Sequence, residues 1–225
     1  MNKKHTMNYE QWTGLREYTP HYHVRKRRKS MFIDFLIKLK AKEIAGNVLD
    51  AGCYKGDVCN KVSELGFAAY GIDAVKENIK EARKKYPKCD FRIGELGQKL
   101  PYPDGFFDVI WAGDVIEHVY DTITLFSEFN RILKKDGYFI VSTPMHNVWK
   151  MFLITAVDLH KHFHPEHKHV RFYTIKNFRM ILKKYGFAIL KEYYLGRIPP
   201  IANNMLFVAQ KKRTLDFKEI PDMMR

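Results

Sequence analysis

Cysteine is scarce: Cys53, Cys59 and Cys89 are the whole set in 225 residues. With no Cys-x-x-Cys pair and no even framework, they exclude a zinc ribbon and a disulfide-stapled secreted scaffold, and a reducing cytoplasm is the expected setting. No apolar run reaches the roughly 18 residues that a membrane span requires. The opening MNKKHTMNYEQW has no apolar h-region, so the reading is a soluble, cytoplasmic protein. Internal repeats and low-complexity segments are also absent. So are the Gly-x-Gly-x-x-Gly of dinucleotide binders and the Gly-Lys-Ser/Thr of a phosphate loop, which counts against a pyrophosphate-anchored site.

What the chain has in excess is positive charge, a net +14 with ten histidines besides. Such a field attracts nucleic acid, phospholipid or a phosphorylated substrate without choosing among them. Only "HVRKRRK" is a concentrated cluster. Elsewhere, as in "KENIKEARKK", the cations alternate with glutamate on what reads as a solvated helix face.

Strand-length hydrophobic runs alternate with helical spacing. "NVLDA", "FAAYGID", "CDFRI", "FFDVIWA" and "GYFIVST" read as strands, with helices near Asp57 to Leu65, Val75 to Tyr86 and Asp121 to Leu133. That order predicts an α/β fold, a Rossmann-like doubly wound sheet with helices on both faces. At the end, "GFAILKEYYL" and "NMLFVAQ" are separated by only "GRIPPIAN". No crossover helix fits there, so the mostly parallel sheet should close with an antiparallel C-terminal strand. The basic amphipathic helix "VRKRRKSMFIDFLIKLKAK" precedes the first strand. The expected division is a helical cap over 1–45, an α/β domain over 46–211 and a polar tail over 212–225.

The stretch "NVLDAGCYKGD" ends the first strand in a turn carrying Gly52 and Gly56, residues that allow a sharp bend and a close backbone approach to a ligand. Asp50, just before the turn, would repel a pyrophosphate and suits an ammonium or sulfonium group. Asp73 closes the second strand in "YGIDAV", where a carboxylate can accept both hydroxyls of a ribose. The predicted ligand carries a cation and a ribose.

With "VLDAGCYKG", "GID", "GELGQKLPYPDGFFDVIWAGDVIEHV" and "FNRILKKDGYFIVSTP", the chain resembles the class I S-adenosylmethionine-dependent methyltransferases over roughly Asn47 to Thr143. Its "DVIEHV" looks like the segment after the fourth strand in the ubiquinone-pathway O-methyltransferases and their small-molecule relatives, the methyltransferase type 11 group. The resemblance implies S-adenosylmethionine as cofactor. Asp50, Gly52, Cys53 and Gly56 would cradle its methionine part, Asp73 with Ala74 its ribose, and Glu95 and Leu96 its adenine. Tyr54 stands where the family usually has glycine.

In "DVIEHV", Asp114, Glu117 and His118 fall at i, i+3 and i+4, so a helix would put them on one face toward the catalytic cleft. Histidine is suited to take a proton from an acceptor hydroxyl, which makes His118 the candidate base. Asp114 and Glu117 would orient it or, as in some relatives, join it around magnesium. The alternative is that the two acids merely complement the positive end of a helix. The segment "DLHKHFHPEHKHVRFYT" adds His160, His162, His164, His167 and His169. Irregular spacing, no His-Glu-x-x-His and no cysteine partner argue against zinc there, so no metal ligand is assigned. By resemblance, His169, Arg171 and Tyr173 contact the acceptor; packing for Tyr173 and a surface ion pair for Arg171 are the alternatives. Tyr9, Trp12 and Tyr18 read as a lid, as a surface for membrane or RNA, or as plain core packing.

The leading function is O-methylation of a small-molecule, glycan or lipid-precursor hydroxyl, with peripheral membrane contact as a further reading. The alternatives are an RNA methyltransferase, which the charge invites, and a non-catalytic S-adenosylmethionine-binding protein. Against nucleic acid, "AGDV" replaces an NPPY-type motif and no Pro-Cys pair occurs. Labelled methyl is therefore expected in a lipid and metabolite extract at physiological salt, and saturable labelling of one RNA would reverse that order.

Overall fold

The computed structural model describes residues 22–157, 169–196 and 204–215. Helix α1 (Tyr22–Lys40) leads into β1 (Asn47–Ala51), α2 (Asp57–Glu64), β2 (Ala68–Asp73), α3 (Lys76–Lys85), β3 (Asp90–Ile93) and β4 (Phe107–Gly113). A single 3-10 turn (Ile116–His118) follows, then α4 (Thr122–Ile132), β5 (Leu133–Pro144), α5 (Val148–Val157), α6 (Ile175–Lys184), β6 (Phe187–Leu195) and β7 (Asn204–Lys211). The strand order is β3-β2-β1-β4-β5-β7-β6. The first five strands run parallel, and β7 is inserted antiparallel between β5 and β6. Two adjacent runs with no crossover helix between them take the antiparallel arrangement that their spacing predicts.

Alternation along each strand divides the core between the two sheet faces. In β4, Phe107, Ile110 and Ala112 join Phe126 and Phe129 of α4 and Phe178 of α6 on one side. Val109 and Trp111 join Phe32, Leu36 and Leu39 of α1 with Val58, Val62, Ile79 and Ala82 of α2 and α3 on the other. The helix starts are chemically specified. The Asp121 side chain accepts from the Thr124 N–H at the head of α4, and Thr174 and Asn177 form a reciprocal capping box on α6.

Two local expectations need correction. The fifth strand begins at Leu133 rather than at "GYFIVST", because Asp136 takes a left-handed φ of 60° and lets chain leaving α4 join the ladder early. Helix α5 has no counterpart among the predicted elements. Within the segment expected as a polar tail, the Leu215 N–H donates to Asn130 Oδ1 and the Leu215 side chain packs on the core. Tyr9, Trp12 and Tyr18, and His160, His162, His164 and His167, lie outside the described residues. Among the described residues no helix is long and apolar enough to cross a membrane.

The cap helix α1 is seated by Phe32, fully buried and stacked on Trp111 at a centroid distance of 4.7 Å. Phe32→Ala should lower stability by about 3–5 kcal/mol, seen as a lower urea midpoint at unchanged slope. A loss below about 1 kcal/mol would mean that α1 is not held by this contact.

Candidate active site

All the candidate residues before β5 lie at the carboxyl ends of parallel strands or in the loops that follow them. After β1, Gly52 has φ 78°, and a Cβ there would stand 2.6 Å from Val115 Cγ2. Only glycine fits that turn without strain. Gly56 (φ 81°) opens α2, where a Cβ would meet the Phe91 ring at 2.5 Å. Tyr54, the departure from the family pattern, also has a left-handed φ of 50° and is 58% exposed as a residue. The backbone thus keeps the conformation that glycine would adopt, while Tyr54 stands at the lining of the neighbouring cleft.

The loops after β1 and β2 are tied together through Asp73. Its Oδ2 accepts from the Tyr54 N–H at 2.9 Å, and its Oδ1 accepts from the Val75 N–H at 3.0 Å and Asn78 Nδ2 at 3.2 Å. Ala74 is exposed beside it. Glu95 and Leu96 follow β3 in a loop closed by Gln98, which donates to Glu95 Oε2 at 2.8 Å.

Beside this edge lies a cavity of about 190 Å³ lined by Asp50, Gly52, Cys53, Trp111, Asp114 and, from α1, by Arg25, Arg28 and Lys29. Asp50 is buried, and burial pushes its carboxyl up to about 7 against the opposing pull of Lys29. Arg28 is 4% exposed and forms an ion pair with Asp114. Burial lowers its guanidinium to about 10. Asp114 also accepts from Ser142 Oγ at 3.3 Å and Asn204 Nδ2 at 3.4 Å, so one carboxylate joins α1, β5 and β7. These donors were not assigned from sequence. Arg25, Arg28 and Lys29 sit at i, i+3 and i+4 within the basic cluster, a spacing that marks one helix face.

Asp114, Glu117 and His118 do not share a helix face. Asp114 has a left-handed φ of 53° and only Ile116–His118 forms a turn, so Asp114 is set apart from Glu117 and His118. Asp114 faces Arg28. Glu117, 1% exposed, points inward, where its Oε2 accepts from Thr143 Oγ1 at 3.0 Å while Oε1 is buried with no hydrogen-bond partner. Burial raises its carboxyl. His118 lies beside His169 with ring centroids 4.9 Å apart. Glu117, His118 and His169 bring one ligand atom each within 4.8 Å of one another. That two-nitrogen, one-oxygen set suits zinc or manganese better than magnesium, and it differs from the predicted set by exchanging Asp114 for His169.

The segment after His169 braces the turn. The Val170 and Arg171 N–H groups both donate to the Glu117 carbonyl, at 2.9 and 3.1 Å, and Arg171 Nη2 donates to the Tyr120 carbonyl. Tyr173, expected at the acceptor, is 4% exposed; its hydroxyl donates to the Ile116 carbonyl and its ring packs edge-on to Phe178. It supports the turn from beneath. What the edge assembles is a charged cleft under α1 and, one turn away, a buried carboxylate with two imidazoles.

The methyltransferase domain family matches residues 21–192. The chain is 33% identical over 114 residues to a ubiquinone biosynthesis O-methyltransferase of Bradyrhizobium diazoefficiens, covering 49% of this chain and 44% of that protein. It is 28% identical over 155 residues to a protein of the same name from Bartonella quintana, covering 64% and 61%. The chain therefore spans less than two thirds of these relatives' own length. Its fold is that of magnesium protoporphyrin IX methyltransferase from Synechocystis, solved with bound SAH, at a TM-score of 0.66 and 18% identity over 90% of this chain and 92% of that one. By strand order, strand-end acids and a family match over most of its length, the chain belongs to the methyltransferase domain family, among the class I S-adenosylmethionine-dependent methyltransferases.

Proposed function

We propose that the protein methylates a hydroxyl of a small-molecule, glycan or lipid-precursor acceptor, with His118 as base. One observation carries the reading: the turn bearing Glu117 and His118 begins directly beyond Asp114, a wall of the charged cleft, so a base stands next to the place where a donor would lie.

The residues fit S-adenosylmethionine. A buried carboxylate, Asp50, suits its ammonium, and Arg25, Arg28 and Lys29 suit its carboxylate. Gly52 leaves room for close approach. Asp73 is held by three donors, an orientation suited to ribose hydroxyls; Ala74, Glu95 and Leu96 are assigned to ribose and adenine on the family resemblance. When bound, the cofactor supplies a methyl group on a sulfonium.

The chain's own part is to orient the acceptor and take its proton. An imidazole nitrogen of His118 accepts the hydroxyl proton as the oxygen attacks. Buried Glu117 and the His169 ring lie beside that imidazole. Magnesium draws less support than in the sequence reading, because Asp114 faces Arg28. A cation held by Glu117, His118 and His169 is the variant to test.

Two outcomes follow for this site. His118→Ala should lower turnover about a hundredfold or more with SAH affinity nearly unchanged, since general-base catalysis contributes about 10²–10⁴; an equal loss of affinity would indicate a structural role. EDTA inhibition reversed by a divalent ion would bring the metal variant forward. The second outcome concerns pH. The folded-state carboxyl of Asp50 is raised from 3.8 to about 7, so its ionisation disfavours the folded state as pH rises through that window. A bound ammonium favours the ionised form, and binding then releases the proton. SAH affinity should weaken about tenfold from pH 8 to pH 6. Asp50→Asn should flatten that slope, and an unchanged slope would remove Asp50 from the site.

A further inference from the structure

The second half of α1 forms one wall of a groove of about 670 Å³, and the β5-β7-β6 face of the sheet forms the other. It shares no lining residue with the charged cleft. Leu39, Ile140, Leu206 and Val208 make a buried apolar floor. Lys38, Lys42 and Lys191 stand exposed around it, with Asp34 the one acid in the lining. None of the three lysines is in an ion pair among the described residues.

We propose that this groove binds a long-chain fatty acid, the hydrocarbon lying on the floor and the carboxylate meeting the lysines. The volume is that of a small-molecule site. An apolar floor gains from every methylene removed from water. The lysine stems extend that apolar surface while their ammonium groups hold a single anionic head. Met31 in the lining adds an unbranched side chain that adapts to a flexible ligand. A second copy of this chain fits poorly, since pairing the groove with itself would bring two lysine rims together. The site is independent of the methyl-transfer reading, although α1 is common to the groove and the cleft.

The test is calorimetric titration of the full chain with palmitate below its micelle concentration, with SAH saturating so that the cofactor cleft is filled. Saturable binding near one per chain is expected. It should weaken at least tenfold in the exposed triple variant Lys38→Glu, Lys42→Glu, Lys191→Glu at a similar melting temperature, and weaken likewise for palmitate methyl ester. Leu190→Glu, at a groove residue 47% exposed, should weaken palmitate without unfolding the protein. No saturable heat, or equal affinity in the triple variant, would overturn the proposal. So would binding only to phosphatidylglycerol vesicles, or binding of an acidic amphipathic peptide but not of palmitate, which would reassign the groove to a membrane surface or a protein partner.

Discussion

The ion pair between Arg28 and Asp114 is the contact on which the rest of the site depends. Parallel strands deliver Asp50, Asp114 and, one turn later, Glu117 to a single edge, where burial makes the negative charge of Asp50 and Glu117 costly. The cap helix answers with Arg28, Lys29 and Arg25 from one face. Arg28, 4% exposed, is compensated by its ion pair with Asp114 and by the nearby charge of Glu117, and removing one partner of a buried pair typically costs about 3–5 kcal/mol. Electrostatics therefore places α1 over the cleft, and the stacking of Phe32 on Trp111 fixes how closely it sits.

The same pair divides the work of the edge. Asp114 is held by Arg28, Ser142 and Asn204 at the cleft, while Glu117 and His118 gather with His169. The left-handed backbone at Asp114 makes that divergence possible within four residues. Glu117 then anchors the 169–173 segment through its carbonyl, and Tyr173 supports the turn from below. Cleft and imidazole pair are thus mechanically continuous.

Much of this was legible from the chain. Alternation of "NVLDA" and "FFDVIWA" with helical stretches predicts the parallel sheet, since burial on both faces leaves strands no other pattern. The short "GRIPPIAN" link predicts the antiparallel end. Gly52, Gly56, Asp50 and Asp73 stand at the strand ends and turns where the sequence puts them, because turn chemistry and charge are local properties. What was missed is non-local or conformational. The i, i+3, i+4 spacing of "DVIEHV" is a helical signature only if a helix forms, and a left-handed residue at Asp114 breaks it. Arg28 reads as a solvated cation until Asp114, far along the chain, is seen to face it. Tyr173 looks accessible in "HVRFYT" because sequence does not show which face of a loop meets Phe178.

The most direct measurement of the account is a double-mutant cycle on Arg28→Ala and Asp114→Ala, read by SAH calorimetry and by urea unfolding. Each single variant should lose both affinity and stability, and the double variant should be little worse than the poorer single, giving a coupling of at least about 1.5 kcal/mol. Strictly additive losses would contradict a cleft organised by this pair.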